Sequence, residues 1–171
     1  MASFSNQRFD NWARGAIPIV LTLVAVIVQL VPVRLPDYSV IAPDFVLMAV
    51  YYWTVHRPDL MRPWSVFLVG IIDDILSGMP LGVSALILLF AHWAIVSQHR
   101  VFRGQSFLLL WCGFALVASG AKILMLLLAL AAGYGFGDPS RLLMQYALTV
   151  ALYPVVAMLM GRAQRALLPV T

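Results

Sequence analysis

Two adjacent aspartates, Asp73 and Asp74, lie within an apolar stretch that is otherwise typical of a membrane span. A carboxylate at the centre of a bilayer costs roughly 3 kcal/mol, so it is kept only where the protein satisfies it. Helical spacing places a set of small and polar residues on one face: Gly70, Asp73, Asp74, Ser77, Gly78 and Leu81. We predict that this polar stripe faces protein, where glycine and serine permit close helix approach.

The composition is that of a membrane protein. Hydrophobic residues make up 63% of the chain and charged residues only 11%, against about 25% charged in soluble domains. Glutamate is absent and Lys122 is the single lysine. We therefore expect one integral membrane domain over residues 1–171, embedded in the lipid bilayer. No basic patch with interleaved aromatic residues is present, so nucleic acid is not expected as a partner.

Six apolar runs predict an all-α membrane protein with six transmembrane helices. The predicted spans are 16–31, 40–55, 64–79, 83–97, 106–132 and 142–161. The second, third and fourth are short for a hydrocarbon core of about 30 Å. A rival interpretation folds residues 106–136 back as a hairpin, which would place Arg162 and Arg165 outside.

The arginines set the predicted orientation. If both termini are cytoplasmic, most arginines fall inside, namely Arg8, Arg14, Arg57, Arg62, Arg100, Arg103, Arg162 and Arg165. Only Arg34 and Arg141 then fall outside, as the positive-inside rule requires. This orientation makes residues 1–15 a cytoplasmic N-terminal segment and residues 162–171 a cytoplasmic tail.

The sequence favours no enzymatic chemistry. Aspartyl catalysis needs two carboxylates facing each other across a substrate, whereas consecutive residues on one helix diverge by about 100°. No serine-hydrolase, cysteine–histidine or zinc-helix motif is present. His56, His92 and His99 are not spaced as a metal site, and we expect His92 to be a hydrogen-bonded packing residue. We predict no catalytic residue, metal or cofactor.

Lys122 is the natural counter-charge for the buried carboxylates, and three arrangements remain open. It lies about 24 Å from the inner end of its span, and Asp73 and Asp74 lie about 14 Å from theirs. Because a lysine side chain leans towards its helix N-terminus, Lys122 could reach these aspartates. It could instead pair with Asp44, or extend towards the membrane surface.

Several elements occur in a characteristic order. The second span opens with Pro43-Asp44 and is followed by Arg57-Pro58, and the third contains Gly70-x-x-x-Asp74-x-x-x-Gly78-x-x-Leu81-Gly82. This order resembles the rod shape-determining protein MreD family over roughly residues 10–165. The resemblance makes Asp74 the family aspartate, with Gly70, Gly78, Pro80, Leu81 and Gly82 completing its element. Asp73 departs from the family pattern, which is usually uncharged there.

The resemblance implies a bacterial inner-membrane component of the elongation (Rod) machinery, with a fold like the substrate-binding S components of vitamin transporters. The implied role is a scaffold for side-wall peptidoglycan synthesis and cell shape that binds MreC. RodA, a class B penicillin-binding transpeptidase and MreB are further implied partners. The alternative is a substrate-binding or transporter subunit for a small molecule. Asp73, Asp74, Ser77 and Lys122 are few polar groups for such a pocket.

Overall fold

A computed structural model describes residues 3–30, 42–98, 106–133 and 138–167, with side chains for 17–30, 42–98, 106–133 and 138–166. Over these residues the chain forms six α-helices and no strand. They are α1 Ser3–Leu30, α2 Phe45–His56, α3 Pro63–Ser77, α4 Val83–Ser97, α5 Phe107–Ala131 and α6 Pro139–Leu167. The predicted all-α class is confirmed, and each helix coincides with one predicted apolar run.

The helix bounds differ from the predicted spans in ways that local chemistry explains. α4 begins and ends as predicted, and α5 is continuous to Ala131. The hairpin interpretation is therefore wrong for this stretch. α2 begins only at Phe45, because Asp44 takes the N-cap position. α1 and α6 extend into the two segments predicted to be cytoplasmic; that assignment stays a prediction.

The centre of the bundle is α2, which packs against α1, α4 and α6. Nine of its twelve residues are buried, and a helix that is apolar all round is one enclosed on every side. Tyr51 of α2 meets the rings of Phe114 and Tyr153 edge-on, at centroid distances of 5.2 and 5.5 Å. Phe114 and Tyr153 stack on each other at 4.2 Å. This aromatic cluster joins α2, α5 and α6.

Hydrogen bonds fix the relative directions of the helices. Asp44, at the start of α2, donates its N–H to the Thr149 hydroxyl at 3.1 Å. Near the end of α2, the Tyr52 hydroxyl donates to Gln164 at 2.9 Å. α2 and α6 therefore run parallel. Lys122, in the C-terminal half of α5, lies beside Asp44, so α5 runs antiparallel to both.

This alternation gives the bundle two chemically different ends. One, the acidic end, contains Asp44, Asp73 and Asp74 at or near the termini of α2, α3 and α4. The other, the arginine end, carries Arg57, Arg62, Arg162 and Arg165. The Arg57-Pro58 pair closes α2 there as predicted, since Arg57 donates its N–H to Trp53 O at 2.8 Å.

The helices fall into a long set and a short set. α1, α5 and α6 have 28, 25 and 29 residues, whereas α2, α3 and α4 have 12, 15 and 15. At a rise of 1.5 Å per residue, the long helices span about 38–44 Å and the short ones about 18–23 Å. Phe107–Ala131 and Pro139–Ala166 are long and apolar enough to cross a membrane. The six-span topology remains a prediction.

The Trp111 indole of α5 supplies the hydrogen-bond donor that Pro154 removes from α6. Pro154 has no N–H, so the carbonyl of Val150 lacks its usual helical donor. The Trp111 Nε1–H donates to Val150 O at 2.8 Å instead. Neighbouring helices commonly satisfy backbone groups that a proline frees in a membrane, and here the contact also fixes α5 against α6.

α3 and α4 make their closest approach at Gly70. A Cβ placed on Gly70 would lie 2.7 Å from the backbone nitrogen of Ala85 and 2.9 Å from its Cβ. Real side chains do not tolerate such distances, so the two helices can pack this closely only with glycine here. The predicted close approach at Gly70 is confirmed.

Replacing Gly70 with alanine should destabilise the protein, although Gly→Ala within a helix is intrinsically favourable by about 1 kcal/mol. The clash with Ala85 should outweigh this gain, because overpacking typically costs about 1–3 kcal/mol. Thermal unfolding of the purified protein in detergent measures the effect. Gly161→Ala is the matched control, since its Cβ would meet only the Tyr52 hydroxyl at 3.4 Å. Equal melting temperatures for the two variants would contradict the close approach.

Candidate functional site

Asp74 of α3 caps the N-terminus of α4. Its side chain is fully buried; Oδ2 accepts the N–H of Gly82 at 2.7 Å and Oδ1 accepts the N–H of Ser84 at 2.9 Å. Gly82, the N-cap residue of α4, has no side chain to serve this purpose. The carboxylate of the preceding helix replaces it, and its charge interacts favourably with the positive end of the α4 dipole.

The backbone of Asp74 also terminates its own helix. Its carbonyl accepts the N–H of Gly78 and, at 3.1 Å, the N–H of Met79. The latter is the long bond of a Schellman motif, which requires a left-handed residue after the helix. Gly78 supplies it with φ 68°, and a Cβ there would meet nothing within 4 Å. Gly78 is therefore needed for its conformation rather than for close helix approach.

This helix end corrects the predicted polar stripe. α3 stops at Ser77, so Gly78 and Leu81 do not continue its face. Ser77 is exposed, and the Leu81 side chain is 71% exposed. The stripe prediction is wrong for Ser77, which is exposed in the last turn of α3. It is wrong for Gly78 and Leu81 because a left-handed glycine followed two residues later by Pro80 ends the helix.

The turn between α3 and α4 needs a second glycine at Gly82, whose φ is 100°. Few residues with a side chain adopt this conformation. Pro80 lies exposed within the turn, and its carbonyl accepts the N–H of Val83 at 3.3 Å. Gly70, Asp74, Gly78, Pro80 and Gly82 thus form one structural unit, the sharply turned α3–α4 hairpin.

Asp73 is the less well satisfied of the two aspartates. It is 7% exposed, and the Ser77 hydroxyl donates to its Oδ1 at 3.5 Å, the long limit of a hydrogen bond. The Ser84 side chain also interacts with it, and both Asp44 and Asp74 act on it electrostatically. The structure therefore gathers three carboxylates from α2 and α3 at the acidic end.

Lys122 pairs with Asp44. Its Nζ lies 3.8 Å from Asp44 Oδ2 and donates to Gln145 Oε1 at 3.1 Å. Gln145 in turn donates its Nε2 to Ala42 O at 2.9 Å. Of the three arrangements that the sequence leaves open, the structure shows the pairing with Asp44.

Asp44 performs at α2 the task that Asp74 performs at α4. Its Oδ1 accepts the N–H of Leu47 at 3.0 Å, the usual N-cap bond. A second N–H of this turn, from Val46, bonds to Gln29 Oε1 of α1 at 3.4 Å. Pro43, which precedes the cap, is buried. Together with Thr149 and Lys122, these bonds tie α1, α5 and α6 to the start of α2.

Sequence reasoning missed four residues of this polar region: Gln29, Ser84, Gln145 and Thr149. Gln29 and Gln145 are the clearest signals, since each is an amide within an otherwise apolar run. Polar side chains in membrane helices usually bond to other helices, as both do here.

The histidines behave as packing residues where the structure describes them. His92 is buried, with its Nδ1 3.2 Å from the Thr54 hydroxyl, which agrees with the prediction. His56 stacks on Tyr52 at a centroid distance of 4.1 Å, and His99 lies outside the described residues. Within the described ranges, no three histidine, cysteine or acidic side chains are grouped as metal ligands.

An open cavity of about 290 Å³ lies between α5 and α6. Its lining is mainly aliphatic, with three polar side chains: Ser119, Lys122 and Tyr146. Two of these already donate to backbone carbonyls of α5, Ser119 to Leu116 O and Tyr146 to Ala115 O. Little polar capacity therefore remains there for recognising a solute.

The family of the chain follows from a comparison with family models. The model of the rod shape-determining protein MreD matches residues 10–163, nearly the whole chain. The chain belongs to the MreD family. The role of this family is the determination of rod shape. No solved structure matches the chain, so the expected likeness to transporter S components stays a prediction.

Replacing Asp74 should destabilise the fold. Asp74→Ala leaves two buried N–H groups without an acceptor, each costing about 1–3 kcal/mol. Asp74→Asn keeps one acceptor and should be intermediate. Asp73→Asn is the control, because it retains an acceptor for Ser77 and removes a like charge. Thermal unfolding in detergent and the amount of protein in membranes are measured for each variant. We expect Asp74→Ala to be the least stable, Asp74→Asn intermediate and Asp73→Asn the most stable of the three. If Asp74→Ala unfolds at the wild-type temperature, the capping role is wrong.

Lys122 should couple to Asp44 rather than to Asp74. In a double-mutant cycle of unfolding free energies, Lys122→Met and Asp44→Asn should be non-additive by about 0.5–3 kcal/mol. The same lysine change combined with Asp74→Asn should be close to additive. The reverse pattern would show that Lys122 pairs with the α3 aspartate.

Proposed function

We propose that this chain is a multi-pass inner-membrane scaffold of the bacterial Rod complex that binds MreC and supports side-wall peptidoglycan synthesis. The observation that carries the proposal is the MreD family match over residues 10–163. Scaffold, in this sense, means a protein that acts through contacts with partners rather than through catalysis. RodA, the class B transpeptidase and MreB are proposed as further members of the same assembly.

The proposed orientation places the arginine end in the cytoplasm and both termini there, with six spans. The described arginines of that end support it, since Arg57, Arg62, Arg162 and Arg165 all lie on one side of the bundle. The acidic end then faces outwards. The length and apolar composition of α5 and α6 support a membrane location.

The use of the buried polar groups supports a structural role. Asp44 and Asp74 each cap a helix, and Lys122 joins α5 to α2 and α6. These groups therefore hold helices together. A site that binds or transforms a solute needs polar groups aimed into a cavity, whereas the carboxylates of Asp44 and Asp74 are aimed into helix termini.

The outer surface supports partner binding within the membrane. Large apolar side chains are exposed along five helices, for example Ile27 on α1, Phe67 on α3, Trp93 on α4, Leu116 on α5 and Met158 on α6. In a bilayer such faces contact either lipid or the transmembrane helix of a partner. We propose that MreC binds to one of these exposed apolar faces.

The cavity between α5 and α6 favours a second candidate, a membrane subunit that binds a small molecule. At about 290 Å³ it is just below the range for ligand pockets, roughly 300–1,000 Å³. Because its serine and tyrosine hydroxyls and its lysine are already bonded within the protein, we rank this candidate second.

The test is complementation in a rod-shaped bacterium depleted of its own MreD. The tagged full-length chain should restore rods and bring down MreC from crosslinked membranes. An unrelated six-span membrane protein with the same tag is the control. Cells that stay round, with the chain present in membranes and no MreC recovered, would contradict the proposal. Recovery of a transport ATPase instead would favour the second candidate.

A further inference from the structure

The exposed face of α6 changes from apolar to basic near the C-terminal end of the helix. Val155, Met158 and Leu159 are each more than half exposed, and Arg162 and Arg165 are exposed within the next two turns. Steps of three and four residues place these side chains on one side of a helix. The α6 arginine pair, defined as Arg162 and Arg165, therefore continues an apolar strip that faces away from the bundle.

The α6 arginine pair has no acidic partner among the residues that the structure describes. The two ion pairs of these residues involve Lys122 and Arg141, which lie towards the opposite end of the bundle. Asp59, the acidic residue described at the arginine end, takes part in neither. Like charges three residues apart on a helix repel each other, so an anion bound at this face would be stabilising.

The length of α6 places the arginine pair at the level of lipid headgroups. Residues 142–161 contain no charged side chain, and at a rise of 1.5 Å per residue they extend about 30 Å along the helix. The hydrocarbon core of a bilayer is also about 30 Å thick. With Arg141 at one membrane surface, Arg162 therefore lies at the other, where headgroup phosphates are found.

The start of α3 shows the same order of side chains at the arginine end. Arg62 is exposed, and Trp64, Phe67 and Leu68 are exposed after it. Tryptophan is enriched where a membrane helix passes from hydrocarbon to headgroups. On α3, as on α6, an arginine thus lies at the end of an exposed apolar strip.

We propose that the α6 arginine pair binds the phosphate groups of anionic phospholipids in the leaflet at the arginine end. The acyl chains of the same lipids then lie along the apolar strip of α6. Arginine suits this role, since its fixed fork of N–H donors matches the oxygens of a phosphate. A phospholipid fits better than an acidic protein segment because it combines a negative group with an apolar chain in the order that α6 presents. The inference rests on the membrane placement made under Proposed function.

Spin-labelled lipids measure the preference. The full-length chain is reconstituted into vesicles of phosphatidylcholine and phosphatidylglycerol that contain a trace of one lipid or the other with a nitroxide on its acyl chain. Electron paramagnetic resonance then gives the fraction of each lipid that the protein surface immobilises. The test variant is Arg162→Gln with Arg165→Gln. The control is Arg57→Gln with Arg141→Gln, which removes the same charge; Arg57 follows the enclosed α2, and Arg141 is paired with Asp138 at 3.1 Å.

The unmodified chain should immobilise more phosphatidylglycerol than phosphatidylcholine, and added salt should weaken this preference by screening. The preference should fall by roughly half or more in the test variant and by much less in the control. Both variants should keep the original melting temperature, since the side chains that they change make no described contact with the core.

An equal loss in both double variants would show that net charge alone attracts the lipid, and would overturn this inference while leaving the scaffold proposal intact. An unchanged lipid preference in the test variant, together with loss of MreC from crosslinked membranes, would assign the arginine pair to an acidic protein segment and would also overturn it. Absence of immobilised phosphatidylcholine around the unmodified chain would overturn the membrane placement on which both proposals depend.

Discussion

The Asp74 carboxylate, held between the end of α3 and the start of α4, is the interaction on which the rest of the hairpin depends. The backbone carbonyl of Asp74 accepts the hydrogen bonds that end α3, and its side chain caps the start of α4. Because one residue both ends α3 and caps α4, the chain must reverse direction within a few residues. The close contact between Gly70 and Ala85 follows from that reversal. Removing the carboxylate therefore affects a turn, a helix cap and a packing interface together.

The same solution appears a second time at α2, where Asp44 caps the buried central helix. A helix N-terminus leaves several N–H groups without partners. Side chains of the protein accept these groups: Asp74 of the preceding helix at α4, and at α2 its own N-cap residue Asp44 together with Gln29 of α1. Asp44, Asp74 and Gln29 are thus explained by the needs of helix termini, whereas Asp73 caps no helix, and Lys122 pairs with Asp44.

Periodicity and composition were enough to predict six helices, the bounds of α4, the close approach at Gly70 and the fact that Asp74 faces protein. The failures have separate physical causes. A helical-wheel projection extends a polar face for as long as the spacing of polar residues continues. In the structure the left-handed Gly78 ends α3, so Leu81 lies in the following turn and not on that face. Backbone donors and acceptors carry no sequence signal, so the bond from the Gly82 N–H to the Asp74 carboxylate could not be predicted from the side chains. The choice of Asp44 for Lys122 depends on how α2 and α5 pack, which spacing alone leaves open.

These contacts change how a defect at Asp74 is interpreted. A buried residue that caps a helix affects partner binding only through the shape of the hairpin, since its own atoms are enclosed. The surfaces that can meet another protein lie on the exposed apolar faces of the outer helices. A loss of rod shape on replacing Asp74 therefore identifies a folding requirement first. A substitution on an exposed face that abolishes partner recovery at an unchanged melting temperature would instead locate the scaffold contact.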